Sequence, residues 1–116
     1  MNAIKEQQTQ LGALTVPEIA VPTAQRAITL VNRWLQKETA MLIHVTDATF
    51  NPITYCWYLP VKLSYPDRGT IGEIGDVYLN AVTGQFAGLP DPNNLLRRAE
   101  ALAEAHGLIE SDDEEE

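Results

Sequence analysis

The chain is poor in the residues on which disulfide, metal and nucleophilic chemistry depend. Its 116 residues include one cysteine, Cys56, and two histidines, His44 and His106. An internal disulfide is therefore excluded, and no spacing typical of a zinc site is present. The two serines, Ser64 and Ser111, have no nucleophile-elbow context. We therefore predict no metal, no cofactor and no catalytic residue.

Long apolar runs and clustered positive charge are also lacking. No apolar stretch approaches the roughly 20 residues that span a bilayer, and the N-terminus lacks the regions of a secretory signal. Eight Lys and Arg stand against 16 Asp and Glu, which gives a formal net charge of −8. Such a balance disfavours phosphate backbones and anionic lipids as partners. We expect a cytoplasmic protein that binds neither nucleic acid nor membrane.

The two ends of the chain differ in composition from the middle. Residues 110–116 hold six of the acidic residues, and such a run cannot bury apolar surface, so we predict a disordered acidic tail. Pro17 and Pro22 favour an extended arm over residues 1–21. That arm is either loosely held or lies, through Leu14, Val16, Ile19 and Val21, along a hydrophobic groove of this chain or of a partner. Residues 22–109 are left as a single domain.

Two segments have the apolar periodicity of amphipathic helices. The first is predicted from Thr23, which is a suitable N-cap, to Glu38. The second is predicted from Pro92 to His106, because Asp91 and Pro92 are typical of a helix start and Gly107 of a helix end.

In the segments between the helices, apolar and polar residues alternate with the period of two that is typical of β-strands. Strands are predicted at residues 40–46, 55–65 and 76–81, with a short fourth at 85–86. Residues 47–52 are predicted to form a turn and residues 70–75 a mobile loop. Gly69, Gly72 and Gly75 are spaced as in a phosphate-binding loop, but they precede a strand where such a loop precedes a helix. The predicted fold is α+β, an antiparallel sheet of three or four strands with two helices packed on one face.

The aromatic residues of the strands divide between two faces of this sheet. Tyr55, Trp57 and Tyr65 fall on the apolar face and are predicted to be core. The opposite face carries the candidate protein-interaction residues Tyr58, Lys62, Asp76, Tyr78 and Asn80. Exposed aromatic residues are enriched at protein interfaces, although the two tyrosines are equally suited to stabilising the sheet as a cross-strand pair.

A family resemblance rests on three features: the N-terminal amphipathic helix, the strand Trp57-Tyr58-Leu59-Pro60-Val61, and the segment from Gly75 to Gly84. Together they resemble PepSY-like domains over about residues 23–86. The resemblance implies a helix packed on an antiparallel sheet and a non-catalytic role in binding or restraining a partner protein. Members of that family are commonly exported or linked to membranes, and the missing signal peptide departs from this.

Two main functional hypotheses follow. The first is a non-enzymatic protein-interaction module that self-associates, for example as a homodimer, or binds a partner protein through the open sheet face. The alternative is a small-molecule-binding protein or a small enzyme with a pocket between sheet and helices, near His44, Cys56 and residues 66–75. A third hypothesis is that the acidic tail occupies a basic site on a partner or on the chain itself.

Overall fold

The computed structural model describes residues 19–108, so residues 1–18 of the predicted arm and the whole predicted acidic tail lie outside the described residues. The helices are α1 (Ala24–Glu38) and α2 (Pro92–Ala105), and the strands are β1 (Ile43–His44), β2 (Thr49–Asn51), β3 (Cys56–Tyr65), β4 (Gly69–Asn80) and β5 (Phe86–Gly88). The predicted α+β class is confirmed, and the antiparallel sheet is curled as a half-barrel.

Strand β3 is the centre of the sheet. Along one edge it pairs with β4 over its whole length, and β5 pairs with the far edge of β4. Along its other edge β3 pairs with β2 at its beginning and with β1 near its end. The sheet therefore has five strands in the described part of the chain, although β1, β2 and β5 contribute only two or three residues each.

Helix α1 forms as its sequence predicts. The side chain of Thr23 accepts a hydrogen bond from the backbone N–H of Arg26 at 3.1 Å, which satisfies one of the free amides of the first turn. Ala27, Val31 and Leu35 lie on one stripe of the helix and are buried. The stripe places α1 against the sheet because burying these side chains removes apolar surface from water.

Helix α2 also begins where its signals predict, and it ends at Ala105, one residue before the predicted His106. Asp91 accepts a hydrogen bond from the N–H of Asn93 at 3.0 Å, Pro92 occupies the first turn, and Gly107 has a φ of 72° just beyond the helix. Leu95, Ala99 and Ala103 are its buried residues, and they join the same core cluster as those of α1. Both helices therefore cover the same face of the sheet, and no residue of the described chain is both charged and buried.

The loop predicted for residues 70–75 is wrong, because β4 already begins at Gly69. Glycine is a poor strand former and reads locally as a turn, but here two glycines face helix α2. A Cβ atom on Gly72 would lie 3.0 Å from Leu102 Cδ2, and one on Gly75 would lie 2.8 Å from Leu95 Cδ2. The glycines therefore allow close packing of α2 on β4, which accounts for their spacing without a phosphate.

A β-bulge in β4 adds a further contact between this strand and the helices. Val61 lies opposite Gly75 while Lys62 lies opposite Glu73, so Ile74 is the extra residue of β4. Ile74 is buried, and Gly75 faces Leu95, so two successive residues point toward the helices. The carbonyl of Ile74 also accepts a hydrogen bond from Arg98 of α2 at 3.2 Å.

The region before β3 is less regular than predicted. The strand expected at residues 40–46 is reduced to Ile43–His44, and Met41 is 84% exposed. The turn expected at residues 47–52 contains β2. Val45 follows β1 without a strand partner, and its backbone instead pairs with a side chain of α1: the N–H donates to Asn32 Oδ1 at 2.8 Å, and Asn32 Nδ2 donates to the carbonyl at 3.0 Å.

The described part of the chain begins with a segment that closes one end of the core. The N–H of Val21 donates to the carbonyl of Ala81 at 2.8 Å, and the Trp57 indole donates to the carbonyl of Val21 at 2.9 Å. Val21 is fully buried as a result. Neither helix of residues 19–108 has the length and apolar character needed to cross a bilayer.

Candidate functional site

The open face is the side of the sheet that faces away from both helices. Across four of its strands the register aligns one row of residues: Thr49, Tyr58, Tyr78 and Gly88. The rings of Tyr58 and Tyr78 lie side by side at the centre of the row, with centroids 5.3 Å apart and planes inclined by 50°. The structure therefore brings the two predicted tyrosines together as a cross-strand pair.

The residues at the two ends of the row leave the tyrosine pair uncovered. A Cβ atom on Gly88 would lie 3.4 Å from Tyr78 Cδ1, so the ring packs beside a residue that has no side chain. Tyr78 is 42% exposed, whereas Tyr58 is half-buried. An aromatic surface flanked by a small and a glycine residue is accessible to a flat or elongated group.

Two carboxylates give this aromatic surface a negative potential. Asp76 precedes Tyr78 by two residues on β4 and lies on the same face. The pKa of Tyr58 is raised above its ordinary value, first by partial desolvation, then by the negative charges of Asp76 and Glu73, and then by Tyr78. Tyr58 therefore keeps its proton, and remains a hydrogen-bond donor, to a higher pH than an ordinary tyrosine.

Lys62 lies on the open face but is held away from the tyrosines. Its ammonium group donates to Asp47 Oδ2 at 2.8 Å and to Thr46 Oγ1 at 3.1 Å, both in the segment between β1 and β2. The lysine side chain is 17% exposed. The hydrogen bond and the charge of Lys62 lower the pKa of Asp47. Lys62 is four residues from Tyr58 along β3, a separation of about 13 Å.

The side chain of Asn80 forms hydrogen bonds within the turn between β4 and β5. Its Oδ1 accepts hydrogen bonds from the N–H groups of Val82 at 2.8 Å and Thr83 at 3.0 Å, which is the pattern of an Asx turn. Of the five predicted interaction residues, the structure thus groups Tyr58, Tyr78 and Asp76, and it gives Lys62 and Asn80 partners within the chain.

A second surface includes Ile19 and Val21, two arm residues for which a hydrophobic groove was one of the two alternatives. Seven residues line an apolar concavity of about 290 Å³ at the end of the sheet where β3 begins; this aromatic groove consists of Ile19, Val21, Pro22, Phe50, Tyr55, Trp57 and Ala81. The ring of Phe50 lies 5.2 Å from that of Trp57 and 5.5 Å from that of Tyr55, centroid to centroid. Phe50 was missed because it falls in a segment predicted to be a turn.

The prediction that Tyr55 belongs to the core is wrong, since its side chain is 47% exposed. Its φ is 57°, in the left-handed region that bulky residues rarely adopt. The N–H of Tyr55 donates to the carbonyl of Asn51 at 2.8 Å, and its own carbonyl accepts from Ala81 N–H at 2.9 Å. These two bonds hold the strained residue in the β2–β3 turn, so β3 begins one residue later than the alternation predicts.

The residues of the alternative pocket hypothesis lie far apart. Cys56 pairs with Asn51 and Asn80 at the beginning of β3, whereas His44 pairs with Lys62, six residues further along. The separation along the strand is about 20 Å. Within residues 19–108 no group of three His, Cys, Asp or Glu side chains is arranged to hold a metal ion.

A smaller concavity of about 240 Å³ lies between α1 and β5, and Arg33 and Lys37 are among its lining residues. Two cations beside the ring pair of Trp34 and Phe86, whose centroids are 5.8 Å apart, would suit an acidic group. The acidic tail lies outside the described residues, so its proposed occupation of a basic site stays a prediction.

No family model, no curated protein and no solved structure matches this chain. The resemblance to PepSY-like domains therefore stays a prediction, and the functional argument rests on the geometry of the open face and the aromatic groove.

Proposed function

We propose that the protein is a non-enzymatic protein-interaction module, and that its open sheet face binds a basic side chain of a partner protein. The observation that carries the proposal is the Tyr58–Tyr78 pair, of which Tyr78 is exposed and Tyr58 half-buried, with Asp76 on the same face. Neither helix covers this pair, because both pack on the opposite side of the sheet.

The chemistry of the pair favours a cationic ligand. The face of a tyrosine ring attracts an Arg or Lys group within about 6 Å, a contact worth roughly 0.5–1 kcal/mol at exposed sites. Asp76 supplies a carboxylate that a guanidinium can bind through two hydrogen bonds. The negative charges that raise the pKa of Tyr58 attract the same cation. The net charge of −8 of the whole chain also favours encounters with basic partners.

The proposal is tested by placing a photo-crosslinking amino acid, p-benzoylphenylalanine, at Tyr78 in the full chain and irradiating cells of the native organism. The same amino acid at Met41, which is 84% exposed and lies before β1, is the control position. We expect a defined protein adduct from position 78 that is absent from position 41. Mass spectrometry of the adduct distinguishes a second copy of this chain from a different protein.

Charge reversal then tests the role of the carboxylate. Asp76→Lys is expected to abolish the adduct from position 78, because it replaces attraction of a cation with repulsion. Asp67→Lys makes the same charge change in the turn between β3 and β4 and is expected to leave the adduct intact. The absence of an adduct at position 78, or an adduct that survives Asp76→Lys in a folded chain, would contradict the proposal.

A further inference from the structure

The turn between β2 and β3 presents an uncharged, apolar projection. Residues 48–55 contain no charged side chain, and residues 49–55 are all exposed. Ile53, near the middle of the turn, is 91% exposed, and its neighbours Phe50 and Tyr55 are 37% and 47% exposed. Four of these seven exposed residues are apolar or aromatic, namely Phe50, Pro52, Ile53 and Tyr55, and a group of this kind favours binding of another macromolecule.

The aromatic groove lies directly beside this projection, because Phe50 and Tyr55 belong to both. Its volume of about 290 Å³ is at the lower limit of pockets for drug-sized ligands, which suits one or two apolar side chains. The indole N–H at its base is already bonded to the carbonyl of Val21 at 2.9 Å. The groove is therefore suited to an apolar occupant.

A projection and a groove at the same end of one molecule can together form a two-fold symmetric contact. In such a contact each copy contributes the same patch, so the patch must be complementary to itself. Charge favours the same arrangement. Six of the 16 acidic residues lie in residues 110–116, which follow α2, whereas residues 48–55 carry no charge, so two negatively charged chains approach through this end at the lowest electrostatic cost.

We propose that two copies of this chain associate through the β2–β3 end, with Ile53 of each copy inserted into the aromatic groove of the other. This interface lies beside the open face, with Thr49 at the border of both, but it uses neither of the tyrosines Tyr58 and Tyr78 nor Asp76. It also predicts an unusual salt response. Added salt screens the repulsion between the two acidic chains while leaving the apolar contact in place, so salt should strengthen the dimer.

Sedimentation velocity of the full chain over a series of concentrations tests the proposal. We expect a concentration-dependent dimer, and we expect Ile53→Lys to raise its dissociation constant by at least about tenfold. Lysine makes the chain less negative, so increased repulsion between the copies cannot explain the loss. Met41→Lys makes the same change at another exposed apolar residue, and Ile53→Leu keeps an apolar side chain at the tip. Both are expected to retain the dimer.

Thermal unfolding of each variant checks that the fold is intact, which is expected because Ile53 is 91% exposed. A chain that stays monomeric at every concentration would overturn the proposal and assign the groove to another occupant, such as an unrelated protein or another part of the same chain. A dimer that survives Ile53→Lys, or that weakens as salt is added, would also overturn it. The opposite salt response is expected of cation binding at the open face, so the two proposals fail separately.

Discussion

Replacement of Asn32 by alanine should destabilise the protein through a contact that connects α1 to the sheet. The amide of Asn32 pairs with the backbone of Val45 as a strand would, accepting from its N–H at 2.8 Å and donating to its carbonyl at 3.0 Å. Both bonds are partly buried, and they link residues 13 apart in sequence. Asn32→Ala removes both and leaves two backbone groups of Val45 without these partners.

The size of the effect follows from the number of bonds lost. Each intramolecular hydrogen bond contributes about 1 kcal/mol, so the two together contribute about 2 kcal/mol. Alanine has a higher helix propensity than asparagine, and this offsets the loss of stability by up to about 0.7 kcal/mol. Thr29→Ala is the matched control, because Thr29 is an exposed residue of the same helix and threonine has about the same propensity as asparagine.

We expect Asn32→Ala to be less stable than Thr29→Ala by about 2 kcal/mol, which is roughly 8–16 °C in Tm for a domain of this size. Urea unfolding followed by tryptophan fluorescence, together with calorimetry, measures both quantities. Asn32→Asp keeps the acceptor but sets a carboxylate against the Val45 carbonyl. Folding therefore raises the pKa of that carboxyl, so its stability is highest at low pH and its deficit relative to wild type grows as pH rises. A difference between the two alanine variants below about 0.5 kcal/mol would refute the reasoning.

Three further predictions concern the strands. Gly75→Ala should cost about 1 kcal/mol in urea unfolding, because its Cβ would lie 2.8 Å from Cδ2 of the buried Leu95 and the lower flexibility of alanine in the unfolded chain offsets part of the overpacking. In a Leu95→Val background the cost should fall, and strictly additive effects would contradict the packing argument. Tyr55→Gly should be more stable than Tyr55→Ala by about 1 kcal/mol, since both lose the ring but only glycine adopts a φ of 57° freely; equal stabilities would count against backbone strain. The raised pKa of Tyr58 contributes to the stability of the folded state. This contribution is fully present below the unfolded pKa of 10.0 and is lost as the pH rises through the folded pKa. Asp76→Asn should lower that pKa in ultraviolet titrations corrected with Tyr58→Phe, and an unchanged titration would argue against the influence of the carboxylate.

The candidate site was only partly predictable from the sequence. Successive side chains of a strand point to opposite faces of the sheet. The period of two alone therefore predicted that Tyr58 and Tyr78 lie on the face opposite the core residues. Their direct juxtaposition depended on the register between β3 and β4, and the bulge at Ile74 shifts that register. The hydrogen bond from Lys62 to Asp47 depended on tertiary structure, and the hydrogen bonds to Asn80 within its own turn depended on local backbone geometry.

Local sequence signals were enough to predict the two helices, the central strand β3 and the α+β class, because each depends on periodicity and capping residues within a short window. Tertiary packing was needed to explain why Gly72 and Gly75 are strand residues, since Leu102 and Leu95 approach them from a helix that is distant in sequence. It also decided that Tyr55 lies outside the core, because the hydrogen bonds to Asn51 and Ala81 hold its backbone in a left-handed conformation. Contacts between segments remote in sequence leave no periodic signal, and the two surfaces proposed for binding are built from such contacts.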